Sequence, residues 1–267
     1  MTVGDHLALW ITCGGLTEYH DSMAFTFSAA ALSWLFDGCG PSLLVLADSL
    51  ALPRLLAQQG YTACVVHRDL LRLRSGLGTP GLNLAVARAE ALPFDDCRFD
   101  AVVVHQVFPE VAPGLALPEM ARVLRPQGHL IISHLARDNS VPWVRRLAEL
   151  MRSVDATAMA APSVEQALAP ARRSKYFQRS ESRDFRHWEP ITRAGMIAMV
   201  AQLPAVQILD EMSRHRLLDA VAEIHDQAAG NNELRLPYQL GCWRGQVDQG
   251  ELTHPIRIDD PGLVISL

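Results

Sequence analysis

FDAVVVHQVFPEVAPGLALPEMARVLRPQGHLIISHL (Phe99–Leu135) decides the fold. It opens with an apolar run, FDAVVVHQVF (Phe99–Phe108), of the kind a strand buried on both faces requires. LPEMARVLRPQG follows with apolar residues at three-to-four spacing and ends at the breakers Pro126 and Gly128. HLIISHL (His129–Leu135) is again continuous and apolar. Strand, helix and strand in that order imply two parallel strands joined by a crossover.

The same alternation extends upstream. SLLVLAD (Ser42–Asp48) reads as a strand, and SLALPRLLAQQG (Ser49–Gly60) as a helix whose Pro53 is tolerated only in the first turn. TACVV (Thr62–Val66) and NLAVAR (Asn83–Arg88) are two more strands. Between them DLLRLRSG makes a short helix, ended by Gly76, Gly78, Pro80 and Gly81. Downstream, residues 141–190 change character. The amphipathic VPWVRRLAELMRSVDATAMA is followed by an arginine-rich, proline-punctuated stretch, and the whole reads as an inserted helical cap. A helix near Thr192–Gln202, an apolar run AVQILD, a helix near Ser213–Ala229 and a strand NELRLPYQLGCWR complete the series. The expected fold is α/β, Rossmann-like: a mostly parallel sheet with helices on both faces and the cap. The expected organisation is an N-terminal helical extension over 1–40, containing AFTFSAAALSWLF (Ala24–Phe36), one domain over 41–245, and a tail over 246–267 ending in GLVISL.

Composition narrows the function. The 267 residues are 49% apolar and 20% charged, with a net charge of -5. Such a chain has ample apolar surface to bury and is not disordered. No basic excess exists to neutralise phosphates, so a broad nucleic-acid footprint is not expected. Lys175 is the sole lysine, which a GC-rich genome explains and which leaves Schiff-base or P-loop chemistry almost without a candidate. The five cysteines contain no CxxC pair, against zinc ribbons and thioredoxin-like redox pairs. His215 and His225 have no partner set for a metal, and no HExxH, GxSxG or Walker motif occurs. MTVGDHLALWITCGG lacks the basic start of a secretory signal, and no run reaches the ~18 apolar residues of a membrane span. The reading is a cytoplasmic protein with reduced thiols, no metal and no membrane contact.

AEALPFDDCRFDAVVVHQVF (Ala89–Phe108) followed by ARVLRPQGHLIIS (Ala121–Ser133) resembles the class I S-adenosylmethionine-dependent methyltransferases. Their pattern is Ala-Glu-x-Leu-Pro-Phe, then Phe-Asp and a strand, then Arg-Val-Leu-x-Pro-Gly-Gly and another strand. ITRAGMIAMVAQL and LRLPYQLGCWR are similar to the end of the methyltransferase type 11 branch that includes trans-aconitate methyltransferase-like proteins. The resemblance covers roughly Pro41–Arg244. It implies S-adenosyl-L-methionine as cofactor, and a small-molecule substrate or a protein partner; self-association is compatible with it.

The resemblance also locates departures. The family's first βα turn reads acidic-x-Gly-x-Gly-x-Gly; here Val45 stands at the acidic position and Ala47, Ser49 and Ala51 at the glycines, with Asp48 among them. A non-glycine forced to positive φ costs roughly 1–2 kcal/mol. The second strand of the family ends in a carboxylate that grips both ribose hydroxyls; here His67 stands there, followed by Arg68 and Asp69. A neutral imidazole offers at most one acceptor. Losing both hydroxyl contacts costs on the order of 2–4 kcal/mol, a ~30- to 1000-fold loss in affinity. Ala89 and Glu90 match the segment that runs past the adenine, while Leu92, Pro93 and Phe94 either support it or simply pack the sheet edge.

On the substrate side the resemblance points to the residues after the fourth strand, His105, Gln106 and Phe108. His105 is the candidate general base, against the plainer role of a packed strand histidine. His134 has the same two readings. FRHWEP (Phe185–Pro190) offers Arg186, His187, Trp188 and Glu189 to an anionic or aromatic substrate, or is a solvated loop. The cluster Arg172, Arg173, Arg179, Arg183 and Arg186 is diluted by Glu181 and Asp184, as on a solvated face. Candidate cofactor residues are thus Ala47, Ser49, Ala51, His67, Ala89, Glu90 and Gln106. One expectation is a methyltransferase-like chain with a degraded cofactor site, weak or absent methyl transfer and a role as a binding or partner subunit. The alternative is an active enzyme on a small molecule with an atypical pocket; a third reading is a non-methylating enzyme that reuses the pocket.

Overall fold

Alternation with a period of two organises the sheet. In β1 (Ser42–Ala47) Leu43, Val45 and Ala47 turn to one face while Leu44 and Leu46 turn to the other. In β4 (Phe99–His105) Ala101 and Val103 share the first face, and Val102 and Val104 the second. Both faces are buried, which is why these strands read as unbroken apolar runs. The computed structural model describes residues 27–156, 162–230 and 233–253. Ala24, most of the expected 1–40 extension and the GLVISL end of the tail lie outside them.

Among the described residues the sheet has seven strands. The others are β2 (Thr62–His67), β3 (Leu82–Val86), β5 (Leu124–Arg137), β6 (Arg179–Pro190) and β7 (Arg235–Gln246), and their order across the sheet is β3-β2-β1-β4-β5-β7-β6. β1 to β5 are parallel, and β7 runs antiparallel to both β5 and β6.

Helices cover both faces. Leu32 and Leu35 of α1 (Ala29–Leu35), Leu52 and Leu56 of α2 (Ala51–Gln58) and Val144, Leu147 and Met151 of α5 (Pro142–Val154) pack on the first face. They are joined there by Met196 and Val200 of α7 (Arg193–Ala201) and by Leu217 and Val221 of α9 (Glu211–Ala229). Ala116, Leu117 and Met120 of α4 (Pro113–Val123) and Val164, Leu168 and Ala171 of α6 (Val164–Arg172) cover the second face. Short helices α3 (Leu70–Leu73), α8 (Pro204–Gln207) and α10 (Gly250–Thr253) fill connections. Local chemistry sets the ends. Asp210 accepts the Ser213 N–H at 2.9 Å to start α9, Ser163 and Gln166 form a reciprocal capping box on α6, and Pro53 falls in the first turn of α2.

The stretch 141–190 is not a helical cap. α5 lies on one face of the sheet and α6 on the other, and Arg179–Pro190 is the edge strand β6, paired along its length with β7. β6 escaped a period-two reading because an edge strand exposed for most of its length carries charge rather than alternating apolar residues, which discourages pairing with another chain. FRHWEP is therefore strand, not loop. The apolar run AVQILD begins inside the one-turn helix α8, which Pro204, with its fixed φ, opens. Pro126 and Gly128 sit inside β5 rather than ending a helix. They belong to an irregular stretch in which Phe99 pairs with Leu124 but Ala101 pairs with His129, and Gln127 takes a φ of +65°. A Cβ on Gly241 of β7 would stand 2.0 Å from Val164 Cγ1, so only glycine lets α6 approach that strand.

Candidate cofactor site

β1 pairs on one side with β2 and on the other with β4, so the strand order reverses there, and ligands of open α/β sheets bind beyond the carboxyl ends at such a point. A cleft lies at that place, enclosing about 510 Å³ with its open mouth. Leu46 and Ala47 line it from β1, and Val66, His67 and Arg68 from the end of β2. Ala87, Arg88, Ala89 and Glu90 follow β3, and Val107, Glu110 and Val111 follow β4.

Of the expected cofactor residues, Ala47, His67, Ala89 and Glu90 reach this cleft, while Ser49, Ala51 and Gln106 do not line it. Ser49 Oγ accepts the Ala51 N–H at 3.4 Å where α2 begins. Gln106 is held at φ +67°, and its amide straddles the Leu135 backbone, accepting its N–H at 2.8 Å and donating to its carbonyl at 3.3 Å. Val45 is fully buried on the first face, away from the cleft. No residue from 47 to 51 has a positive φ. The strain expected for alanine and serine in place of glycine is therefore absent: this turn takes a path open to any residue. Leu50 anchors it by packing against Val65 and Leu73.

The end of β2 carries no carboxylate toward the cleft. His67 Nδ1 accepts the Asp69 N–H at 2.9 Å, and Asp69 Oδ1 accepts the Leu71 N–H at 2.8 Å as the cap of α3. Burial holds the His67 imidazole below its ordinary pKa, against a smaller opposing effect of the Asp69 carbonyl, which lies 3.2 Å from the same Nδ1. The tautomer that accepts the Asp69 N–H at Nδ1 carries its proton on Nε2, and the one that donates to the Asp69 carbonyl, 3.2 Å away, leaves Nε2 an acceptor. Where the resemblance calls for a carboxylate with two acceptors, the protein presents an imidazole with one nitrogen left to offer. The acids of the cleft have other partners. Glu90 Oε1 accepts the Ala112 N–H at 2.9 Å while Oε2 stands 3.8 Å from Arg88 Nε, and Glu110 meets Arg68 at 3.4 Å. Glu90 and Glu110 are the carboxylates that line the cleft.

The Leu92–Phe94 segment is held independently of any ligand. Arg122, from the second family motif, donates to the Leu92 and Phe94 carbonyls at 3.0 and 2.7 Å and to Asp96 at 2.8 Å. Glu119 pairs with the same guanidinium at 2.8 Å and accepts the Leu92 N–H at 2.9 Å. Hydrogen bonding to Arg122 keeps the Glu119 carboxyl below its usual range. The two motifs are thus two halves of one clamp, and Phe94 stacks edge-on against Phe99.

His105 does not line the cleft. It is buried at the end of β4, beside Ser133 Oγ at 2.9 Å and the Phe27 ring at 5.0 Å. Phe108 is buried in the second-face core, and His134 Nε2 lies 3.1 Å from the Pro162 carbonyl. Arg186, His187, Trp188 and Glu189 sit on β6, at the opposite edge of the sheet from the cleft; His187 pairs with Glu189. Arg68, Arg88, Val107, Glu110 and Val111 were not singled out from the sequence as cleft residues. Their signal is position alone: each falls just past the carboxyl end of a parallel strand. Among the described residues no group of acidic, histidine or cysteine side chains is arranged to hold a metal, and no helix is long and apolar enough to cross a membrane.

Comparison with known proteins agrees with this architecture. The family model for the methyltransferase domain matches residues 38–132. An uncharacterized methyltransferase of Mycobacterium tuberculosis is 30% identical over 227 residues, covering 82% of this chain and 88% of the relative. An uncharacterized methyltransferase of Schizosaccharomyces pombe is 40% identical over 104 residues, 37% of this chain and 40% of the relative. Among solved structures, a proposed methyltransferase from an antibiotic biosynthesis pathway of Anabaena variabilis superposes with a TM-score of 0.58 at 14% identity, over 80% of this chain and 94% of that one. That likeness speaks to the fold. The relative matched across most of both chains, together with the strand order and the cleft at its reversal, establishes that the chain belongs to the class I S-adenosylmethionine-dependent methyltransferase family.

Proposed function

We propose that this family member transfers methyl groups weakly or not at all and works as a binding or partner subunit. One observation carries the reading: the end of β2 holds an imidazole whose Nδ1 is engaged by the Asp69 backbone, while the Asp69 carboxylate, two residues on, caps α3. A cofactor ribose with no carboxylate to accept its hydroxyl protons loses on the order of 2–4 kcal/mol of binding. Exposed apolar side chains on the segment between β2 and β3 and at the end of β3, Leu70, Leu71, Leu77 and Val86, support a surface that a partner covers.

Calorimetry with S-adenosylmethionine and its demethylated product tests this. The expected result is no heat at millimolar ligand; micromolar binding overturns the reading. A clean monomer at working concentration that recovers no partner counts against the partner role. The second reading, an active enzyme on a small molecule with an atypical pocket, is favoured by the unstrained turn at 47–51 and the open cleft above it.

A further inference from the structure

The two edges of the sheet differ in chemistry. β6 carries Arg179, Glu181, Arg183, Asp184 and Arg186, and charge along an edge discourages pairing with another chain. β3 has no such guard: residues 75–87 contain no charged side chain. Its backbone is also open on one side. The Gly81 carbonyl accepts the Ala63 N–H at 3.0 Å, and the Ala87 N–H donates to the His67 carbonyl at 3.3 Å, so the odd-numbered residues bond toward β2. Leu84 and Val86 therefore turn their backbone N–H and carbonyl groups outward. Among the described residues nothing pairs with them on that side.

Apolar side chains collect at the same edge. Of the eight large apolar side chains that stand exposed among the described residues, four are Leu70, Leu71, Leu77 and Val86. They frame one face of β3. Leu73 of α3 packs with Leu82 and Leu84, and a Cβ on Gly76 would stand 3.4 Å from Leu84 Cδ1. α3 and Leu77 thus flank the face that bears Leu82, Leu84 and Val86.

We infer that β3 pairs antiparallel with β3 of a second copy of this chain, about a twofold axis at Leu84. In that register Leu84 faces its own mate, and Leu82 faces the partner's Val86. Such a contact is isologous and closes on itself. Leu77 precedes the amino end of β3, while Leu70 and Leu71 lie just past its carboxyl end, where Val86 pairs with His67. The antiparallel arrangement therefore brings Leu77 of each copy toward the apolar end of the other. Charge suits an identical occupant, because a neutral edge meets its copy without like-charge repulsion. The area sets the strength. At 53–70% exposure, each of the four side chains offers on the order of 100 Å². Two copies then bury roughly 800 Å² before the strands are counted, and standard interfaces start near about 1,200 Å². A reversible dimer is the consequence. The inference rests on the partner-covered surface of the proposed function and names what covers it.

The test is sedimentation velocity on the full chain across a concentration series. A monomer–dimer equilibrium with a dissociation constant on the order of 10 μM is expected. Leu77→Lys and Val86→Lys, both at exposed positions, are each expected to raise that constant at least about tenfold while leaving the melting temperature in place. Amide exchange in the unaltered chain gives a readout that needs no variant. Leu84 and Val86 are expected to exchange about tenfold more slowly in the dimer than in the monomer. A monomer at every concentration overturns the inference. So does a dimer that both lysine variants leave intact, or exchange at Leu84 and Val86 that ignores concentration. A monomer that instead recovers a different protein overturns the second copy and leaves the partner reading in place. Micromolar binding of S-adenosylmethionine to a dimer that the lysine variants dissociate removes the degraded-site reading and leaves the dimer standing.

Discussion

The backbone N–H of Asp69 donates to Nδ1 of His67 at 2.9 Å, and this short loop-back fixes what the end of β2 presents to the cleft. With Nδ1 engaged by the Asp69 backbone, the ring has only Nε2 left to offer, and Asp69 Oδ1 caps α3. Replacing both the bulk at β1 and the imidazole at β2, Ala47→Gly with His67→Asp, is expected to strengthen binding of the demethylated cofactor product by about tenfold or more. Calorimetry on the double variant measures it. No gain would mean that the cofactor turn is aligned to the wrong residues.

Arg122 links the two family motifs, and its loss should loosen both. Its guanidinium holds two carbonyls and two carboxylates, and only 29% of the side chain is exposed. Arg122→Ala is expected to cost about 2 kcal/mol, after allowance for partial exposure. Arg122→Lys should recover little of it, because an ammonium lacks the planar fork that reaches Leu92, Phe94 and Glu119 together. Urea midpoints of the three proteins decide this; a lysine variant as stable as the original would show that charge alone matters.

The sheet was legible wherever strands are buried on both faces, because burial there demands apolar residues in sequence. Leu43–Leu46 and Val102–Val104 are such stretches. β6 was illegible because its side chains face water, so Arg183 and Asp184 imitate a loop. The cleft was half legible. Ala47, His67, Ala89 and Glu90 follow from the family pattern, since strand ends are conspicuous. That Gln106 would be consumed by the Leu135 backbone, or that Asp69 would cap a helix, depends on where short side chains reach in three dimensions. No spacing in the chain encodes that. The glycine-poor turn is the instructive case. Ala47, Ser49 and Ala51 imply strain only if the loop keeps the family's path, and it takes another, with Leu50 as its anchor.

Gly241→Ala should destabilise the protein although it adds only a methyl group. That methyl would meet Val164 Cγ1 at 2.0 Å, across the packing of α6 on β7. Overpacking of this kind costs about 1–3 kcal/mol. Val164→Ala removes the obstructing atoms and leaves a small cavity of its own. The double variant is therefore expected to be more stable than the sum of the two single losses predicts. A double-mutant cycle in urea checks it, and strict additivity would show that the strand moves instead of the side chain.

The last prediction concerns pH. Burial holds His67, His129 and His134 below the ordinary value of 6.5. Above 6.5 these rings are neutral in both folded and unfolded chains. As pH falls through that value the unfolded chain takes up protons that the folded chain refuses, so stability is lost toward acid. Glu119, held below 4.5 by Arg122, adds a further loss as pH falls below that value. The alkaline limb has the opposite origin. Burial raises the Cys39 thiol from 9.0 to about 11, and raises Cys64 and Cys242 as well. Above pH 9 the unfolded thiols ionise first, and stability falls as pH rises. Urea midpoints should therefore be highest between about pH 7 and 9 and decline on both sides. His134 is the sharpest single test, since the residue is 6% exposed and its Nδ1 has no partner among the described residues. His134→Asn cannot titrate, and is expected to flatten the slope between about pH 6.5 and 5 even if the variant is less stable at pH 8. An unchanged slope would assign the acid limb to the other two histidines.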